Sequence, residues 1–157
     1  MVAQETFESA LIEGAREVFE TMMFMTVEEG NENYSTIDGS AMLGSITFKG
    51  KYDGCLGVCC SVDSAKEIAS NMSGEGFDKE FTEDEVADAM GEVANMVLGS
   101  IKKLLMDIMG NVQVSIPTVV SGSELANSLG EDAEKISTVI DIDDSMMILT
   151  LLYRENT

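Results

Sequence analysis

TEDEVADAMGEVANMVLGSIKKLLMDIMG, residues 82–110, reads as one long amphipathic helix, and the rest of the fold is organised around it. Val86, Met90, Val93, Val97, Ile101, Leu104 and Ile108 recur at helical spacing and form one apolar stripe. Asp88, Glu92 and Asn95 follow one another at i, i+4 and i+7 on the opposite side. At about 100° per residue they span roughly 60° of arc. The start of the helix is strongly marked. Thr82 is the expected N-cap and Glu85 its reciprocal partner in a capping box, with Phe81 and Val86 as a hydrophobic staple. Glu83, Asp84 and Glu85 suit the positive end of the helix dipole, and Lys102 and Lys103 the negative end. Gly110 is the expected stop. A carboxylate and a carboxamide are thus offered to solvent by a helix anchored through its back. That arrangement suits a large partner better than a small molecule in a deep pocket.

Upstream, residues 5–26 predict a first helix with Phe7, Leu11, Ala15, Val18, Met22 and Met25 on its apolar face. Glu28-Glu29-Gly30-Asn31-Glu32-Asn33 reads as a polar loop that ends it. Residues 42–49 and 53–61 predict two strands joined by a glycine-bounded hairpin. A short helix over residues 62–72 follows, with Ser61 or Asp63 near its start and glycine at its end. Beyond the long helix, residues 112–120 read as a strand containing Pro117, the only proline, which marks an edge, a bulge or a strand end. Residues 121–132 read as a polar loop or short helical turn. Residues 136–142 and 146–153 are two more strands around Asp143-Asp144-Ser145. The order predicts an α+β fold: a mainly antiparallel sheet with two long helices and a short helix on one face. At 157 residues the chain is expected to form a single domain over residues 1–157.

The first helix echoes the long one. Glu13, Glu17 and Glu20 repeat the spacing of Asp88, Glu92 and Asn95, each triplet opposite its apolar stripe. This fits a duplicated α-β-β unit. Amphipathic helices also resemble one another for general reasons, and the pattern alone leaves both readings open.

Composition narrows the chemistry. The formal net charge is −20, from 29 acidic and 9 basic residues. Such a surface repels nucleic-acid phosphates and anionic membranes, and it favours either a partner with basic residues or plain solubility. With no histidine, Ser-His-Asp and Cys-His triads in their usual form are excluded, as are most zinc sites. No oxygen-ligand loop of the EF-hand type is present, so no metal site of the chain's own is expected. The N-terminus lacks a signal-peptide pattern, and no apolar run approaches the roughly 20 residues that span a bilayer. No membrane insertion is therefore expected. Cys55, Cys59 and Cys60 are an odd set without CxxC spacing. They read as buried small hydrophobes in a reducing cytoplasm.

Read as a string, the long helix and the next strand give Asp88-x3-Glu92-x2-Asn95-x21-Pro117. This resembles the signature of the CheC, CheX and FliY phosphatases of bacterial chemotaxis: Asp or Ser, then Glu, Asn and a distant Pro at those separations. The flanking Gly91-Glu92-Val93-Ala94-Asn95-Met96-Val97-Leu98-Gly99 is similar to that family's active helix, and Val18-Phe19-Glu20-Thr21-Met22 resembles the corresponding segment of CheX. CheC-like members often carry the motif twice. Here Glu20 replaces asparagine in the first copy and no proline follows at the matching distance, a pattern closer to CheX, which has one site per chain and works as a homodimer.

The resemblance implies a substrate, the phosphoaspartate of a CheY-like response regulator. It implies that Asn95 holds a water in line with phosphorus and that Glu92 pairs with a regulator lysine. The divalent metal, Mg in the usual case, would belong to the regulator. An acyl phosphate is already activated, so placing and orienting one water supplies much of the gain. A carboxamide both accepts from that water and donates to a phosphoryl oxygen. A carboxylate there would repel the phosphoryl group, so the first copy is expected to be silent. Asp88 either orients the surroundings of Glu92, touches the partner or is simply solvated. Pro117 is expected to shape its strand. Gly91 and Gly99 either admit a partner backbone or loosen the helix packing. The competing functional reading is a non-catalytic module that docks on a regulator and sequesters it; the intact Asn95 favours the enzyme.

Overall fold

The computed structural model describes residues 4–30, 37, 39–74, 80–122, 133–143 and 145–156. In chain order its elements are α1 (Gln4–Met22), β1 (Val27–Glu29), β2 (Ala41–Lys49), β3 (Tyr52–Ser61), α2 (Val62–Ser73), α3 (Glu83–Leu104), α4 (Met106–Met109), β4 (Gln113–Val114), β5 (Thr118–Gly122), β6 (Glu134–Ile142) and β7 (Ser145–Glu155). The strands form one antiparallel sheet in the order β1-β6-β7-β3-β2-β4, with β5 also pairing β2. This is the α+β class expected from the sequence.

Exchange β1 for β5, β2 for β6 and β3 for β7, and the strand order reads the same backwards. The β3–β7 pair lies at the centre of this pseudo-two-fold, flanked by the antiparallel pairs β2–β3 and β6–β7. Each half therefore carries one strand more than the α-β-β unit read from the sequence. The extra strand in the first half is Val27-Glu28-Glu29, whose Glu28 and Glu29 the sequence predicts in a polar loop. It is a strand because it pairs the edge of β6, Glu28 opposite Asp141, and its acidic side chains face water. Three residues are too few for an alternation signal to form.

The helices cover one face of the sheet. Phe7, Leu11, Ala15 and Val18 of α1 and Val86, Met90, Val93 and Val97 of α3 are buried with Met42, Ile46, Leu56, Leu149 and Leu151 from the strands. Phe7 stacks on Tyr153 with ring centroids 4.1 Å apart and meets the edge of Tyr52 at 5.5 Å. On the other face Leu43, Cys59, Val139 and Ile148 are buried with Ile37.

Local signals behave as the sequence predicts at the helix starts. The Thr82 hydroxyl accepts from the Glu85 N–H at 3.1 Å, and the Glu85 carboxylate accepts from the Thr82 N–H at 3.0 Å. Ser61 caps α2 by accepting from the Ser64 N–H, and Gly74 ends it in the left-handed region.

The helix ends differ from expectation. α1 stops at Met22, not near Thr26: Phe24 turns the chain at φ 55°, and the Met25 N–H reaches back to the Phe19 carbonyl at 2.9 Å. Met23 and Met25 are buried by this reversal, and Met22, expected on the apolar face, is 61% exposed. The long helix likewise breaks at Leu105 before the one-turn α4, and only then does Gly110 stop the chain at φ 63°. The break shifts the buried phase to Leu105 and Met109, leaving Leu104 exposed and Ile108 half-buried.

The strand expected over residues 112–120 is two strands on one edge of β2. Val114 pairs Phe48 and Thr118 pairs Ser45, so Ser115, Ile116 and Pro117 stand against only Ile46 and Thr47. The Ser115 N–H donates to the Thr47 carbonyl at 2.9 Å, and the Thr47 N–H donates to the Ser115 hydroxyl at 3.0 Å. The surplus residue is thus a β-bulge that sets Ile116 and Pro117 together opposite Ile46. Proline fits here because an edge bulge needs no ladder donor at that point.

Gly44 sets how close α3 lies to the sheet. A Cβ at this position would sit 2.9 Å from the Met90 carbonyl oxygen, a backbone atom that cannot rotate away. Gly44→Val is expected to push α3 outward and lower stability by about 1–3 kcal/mol, the range for overpacking. Urea unfolding followed by circular dichroism measures the loss.

Candidate functional site

Asp88, Glu92 and Asn95 are exposed on one face of α3, while Met90, Val93, Ala94 and Val97 lie buried beneath them. Among the described residues none of the three side chains has a hydrogen-bond or ion-pair partner. The group is therefore a free polar surface on a rigid support.

Gly91, between Asp88 and Glu92 on this helix, is buried. A Cβ on it would lie 3.3 Å from Pro117 Cβ and 3.5 Å from Val119 Cγ2. The long x21 interval of the motif is thereby closed: the chain leaves the end of α3, turns at Gly110 and returns along β2 to lay Pro117 on the turn that carries Glu92 and Asn95. Gly91 packs against its own chain here. Gly99 differs, being exposed with nothing within 4 Å of an added Cβ. The proline, the glycine and the polar triplet are thus one local assembly. Gly44 belongs to it as well, and the sequence reading passed it over. Its signal was a glycine inside an otherwise apolar strand, which marks a close backbone approach.

The pseudo-equivalent face of α1 is engaged. Arg16 lies 3.1 Å from Glu13 and 4.0 Å from Glu20, and Lys103 of α3 lies 3.7 Å from Glu17. Glu20 also accepts from the Val27 N–H at 3.3 Å, tying the end of α1 to the start of β1. Ion pairs this exposed contribute little to stability. They do occupy the carboxylates, so the two triplets of similar spacing have different fates.

No group of three His, Cys, Asp or Glu among the described residues is arranged to hold a metal ion. No described helix is long and apolar enough to cross a membrane.

An Asp-Glu-Asn face on one of two pseudo-equivalent helices, clamped by a distant proline over a doubled antiparallel sheet, defines a CheC-like fold with a surface site. The family model described as chemotaxis phosphatase CheX matches residues 42–141, and the chain belongs to this family. Solved structures agree on the fold. The chemotaxis protein CheX from Vibrio vulnificus is 22% identical with a TM-score of 0.80, covering 98% of this chain and 100% of its own. A CheC-like superfamily protein from Shewanella sp. PV-4 is 25% identical with a TM-score of 0.80, covering 97% and 99%. The CheX of a CheX–CheY–BeF3–Mg complex from Borrelia burgdorferi is 19% identical with a TM-score of 0.76, covering 95% and 98%. Comparison with curated proteins gives no match.

The cysteines stand apart from the polar face. All three are buried and free. Burial pushes each thiol up, Cys60 to about 12 with Cys59 adding to it. Cys60 Sγ rests 3.9 Å from Met90 Sδ beneath α3. A thiol held protonated is a poor nucleophile. In the folded protein at about pH 8, none of the three is expected to react with Ellman's reagent within minutes, whereas all react in denaturant. Fast labelling of the native chain would contradict their burial.

Proposed function

We propose that residues 1–157 form one phosphatase domain that hydrolyses the aspartyl phosphate of a CheY-like response regulator. The observation that carries this reading is the free Asp88–Glu92–Asn95 face, fixed by the Gly91–Pro117 contact, in a chain of the CheX family. The complex of a structurally similar CheX with CheY, beryllium fluoride and magnesium supports the choice of partner.

The chemistry follows from the residue types. Asn95, exposed on the helix, enters the regulator's phosphorylation site. Its carboxamide oxygen accepts from a water while its NH2 donates to a phosphoryl oxygen, which fixes the water in line. The water oxygen bonds to phosphorus, the bond from phosphorus to the aspartyl oxygen breaks, and inorganic phosphate and a free carboxylate result. Glu92, one turn earlier, pairs with a regulator lysine and sets the register. Asp88 extends the acidic contact. Divalent metal on the regulator, such as Mg, neutralises the phosphoryl charge. This chemistry belongs in the cytoplasm, where such regulators act.

Asn95→Ala is expected to reduce stimulated decay of the phosphorylated regulator by about 10²-fold, the scale of losing one positioned polar group, while binding persists. Glu92→Lys is expected to weaken binding by about tenfold or more, through reversal of an ion pair. Glu17→Ala and Glu20→Ala, on the engaged first helix, should leave activity within about twofold. Phosphate release with and without each variant reads all three. Unchanged turnover in Asn95→Ala would overturn its water-positioning role, and wild-type binding without stimulated decay would leave only a sequestering module.

We also infer a homodimer formed through an edge of the sheet, since unpaired strand edges are templates for pairing. Sedimentation at micromolar concentration is expected to give twice the 16.9 kDa chain mass, and a monomer alone would reject the assembly.

A further inference from the structure

Ile116 is 88% exposed, an unusual state for an isoleucine beside a polar site. Its place in the fold follows from the register. Val119 opposes Gly44, and both lie toward α3, because Gly44 meets the Met90 carbonyl and Val119 meets Gly91. Strand alternation from there puts Ile46 on the α3 side too, where it is buried. The bulge sets Ile116 beside Pro117 on the edge of β2, and Pro117 is the residue that packs on Gly91 of α3. Ile116 is therefore an exposed residue of the sheet rim, next to Pro117.

Its level along α3 follows as well. Gly50 at the end of β2 lies against Asn111 and Val112, just past α4, so α3 runs toward that end of β2. Pro117, opposite Ile46, meets Gly91, so Ile116 beside it stands next to the turn of α3 that carries Gly91 and Glu92. Gly99, with nothing within 4 Å of an added Cβ, leaves clearance on the helix about two turns further on.

An apolar side chain thus stands at the rim of an acidic face, beside the turn of α3 that carries Glu92. We propose that Ile116 is the apolar docking residue of this site, seated against an apolar patch beside the phosphoacceptor of the regulator's receiver domain. This rests on the phosphatase reading above. Continuity with the Glu92–Asn95 face selects the receiver as occupant over a second copy of this chain. The charges steer and orient the encounter, and the buried isoleucine slows dissociation.

The test uses CheY-like receivers from the same genome, each held active with beryllium fluoride and Mg2+ for binding and phosphorylated for turnover. Wild type selects the receiver. Ile116→Asp is expected to weaken its binding by about 30-fold and Ile116→Ala by about tenfold, with kcat at saturating regulator retained and urea stability unchanged. Phe24→Asn removes an equally exposed apolar residue beside the engaged first helix and is expected to bind as wild type. If wild type binds and stimulates no receiver, the phosphatase reading itself fails. If wild type works and Ile116→Asp binds normally, or Phe24→Asn loses as much, the docking role of Ile116 is overturned. Conversion of a wild-type dimer to monomer by Ile116→Asp would assign the residue to self-association and overturn the proposal equally.

Discussion

The approach of one helix backbone to one strand backbone governs this molecule. At Gly44 and Met90, α3 sits on β2 with no side chain between them, and at Gly91 the same helix accepts the ring of Pro117. A methyl group at Gly44 would separate the two layers, and with them the spacing between the polar face and the bulged edge. The stripe of Met90, Val93 and Val97 supplies the burial that holds the layers together. The glycines decide at what distance they are held. Fixing that distance turns three exposed side chains into a surface of defined shape, as the proposed positioning of a water requires.

Much of this was legible from residue types alone. The capping box at Thr82 and Glu85 is local chemistry, so the start of α3 could be read to the residue. The two hairpins and the exposure of Asp88, Glu92 and Asn95 followed from periodicity over many positions. What escaped was decided by tertiary pairing. Val27-Glu28-Glu29 is a strand only because β6 offers its edge. The break at Leu105 has no proline or glycine to announce it; it lets Leu105 and Met109 reach the core. The bulge depends on counting residues against β2, which no single segment reveals. Pro117 hinted at such an irregularity, and its contact with Gly91 shows why the motif tolerates so long an interval.

The two halves share a plan and differ in charge management. In the first, Arg16 and Lys103 answer the carboxylates of Glu13, Glu17 and Glu20, and Glu20 also holds the N–H of Val27. In the second, the triplet has no such answer among the described residues. Pairs of this kind change stability only slightly, so a surface can gain or lose them without disturbing the core. A repeated plan therefore leaves one face free to take a structural role while the other keeps its polar groups unpaired and available.

The crossed order of the strands also bears on how the chain is made. β3 lies between β2 and β7, and its register runs from Tyr52 opposite Glu155 to Cys60 opposite Met147. On the ribosome β3 therefore emerges long before its central neighbour exists, with an interval of order ten seconds at about 5–20 residues per second. Throughout that time one side of the most buried strand has no partner, and the acidity of the emerging chain discourages nascent molecules from pairing with one another. The halves have a common design, but the first is not complete on its own: β7, from the second half, supplies the central partner of β3.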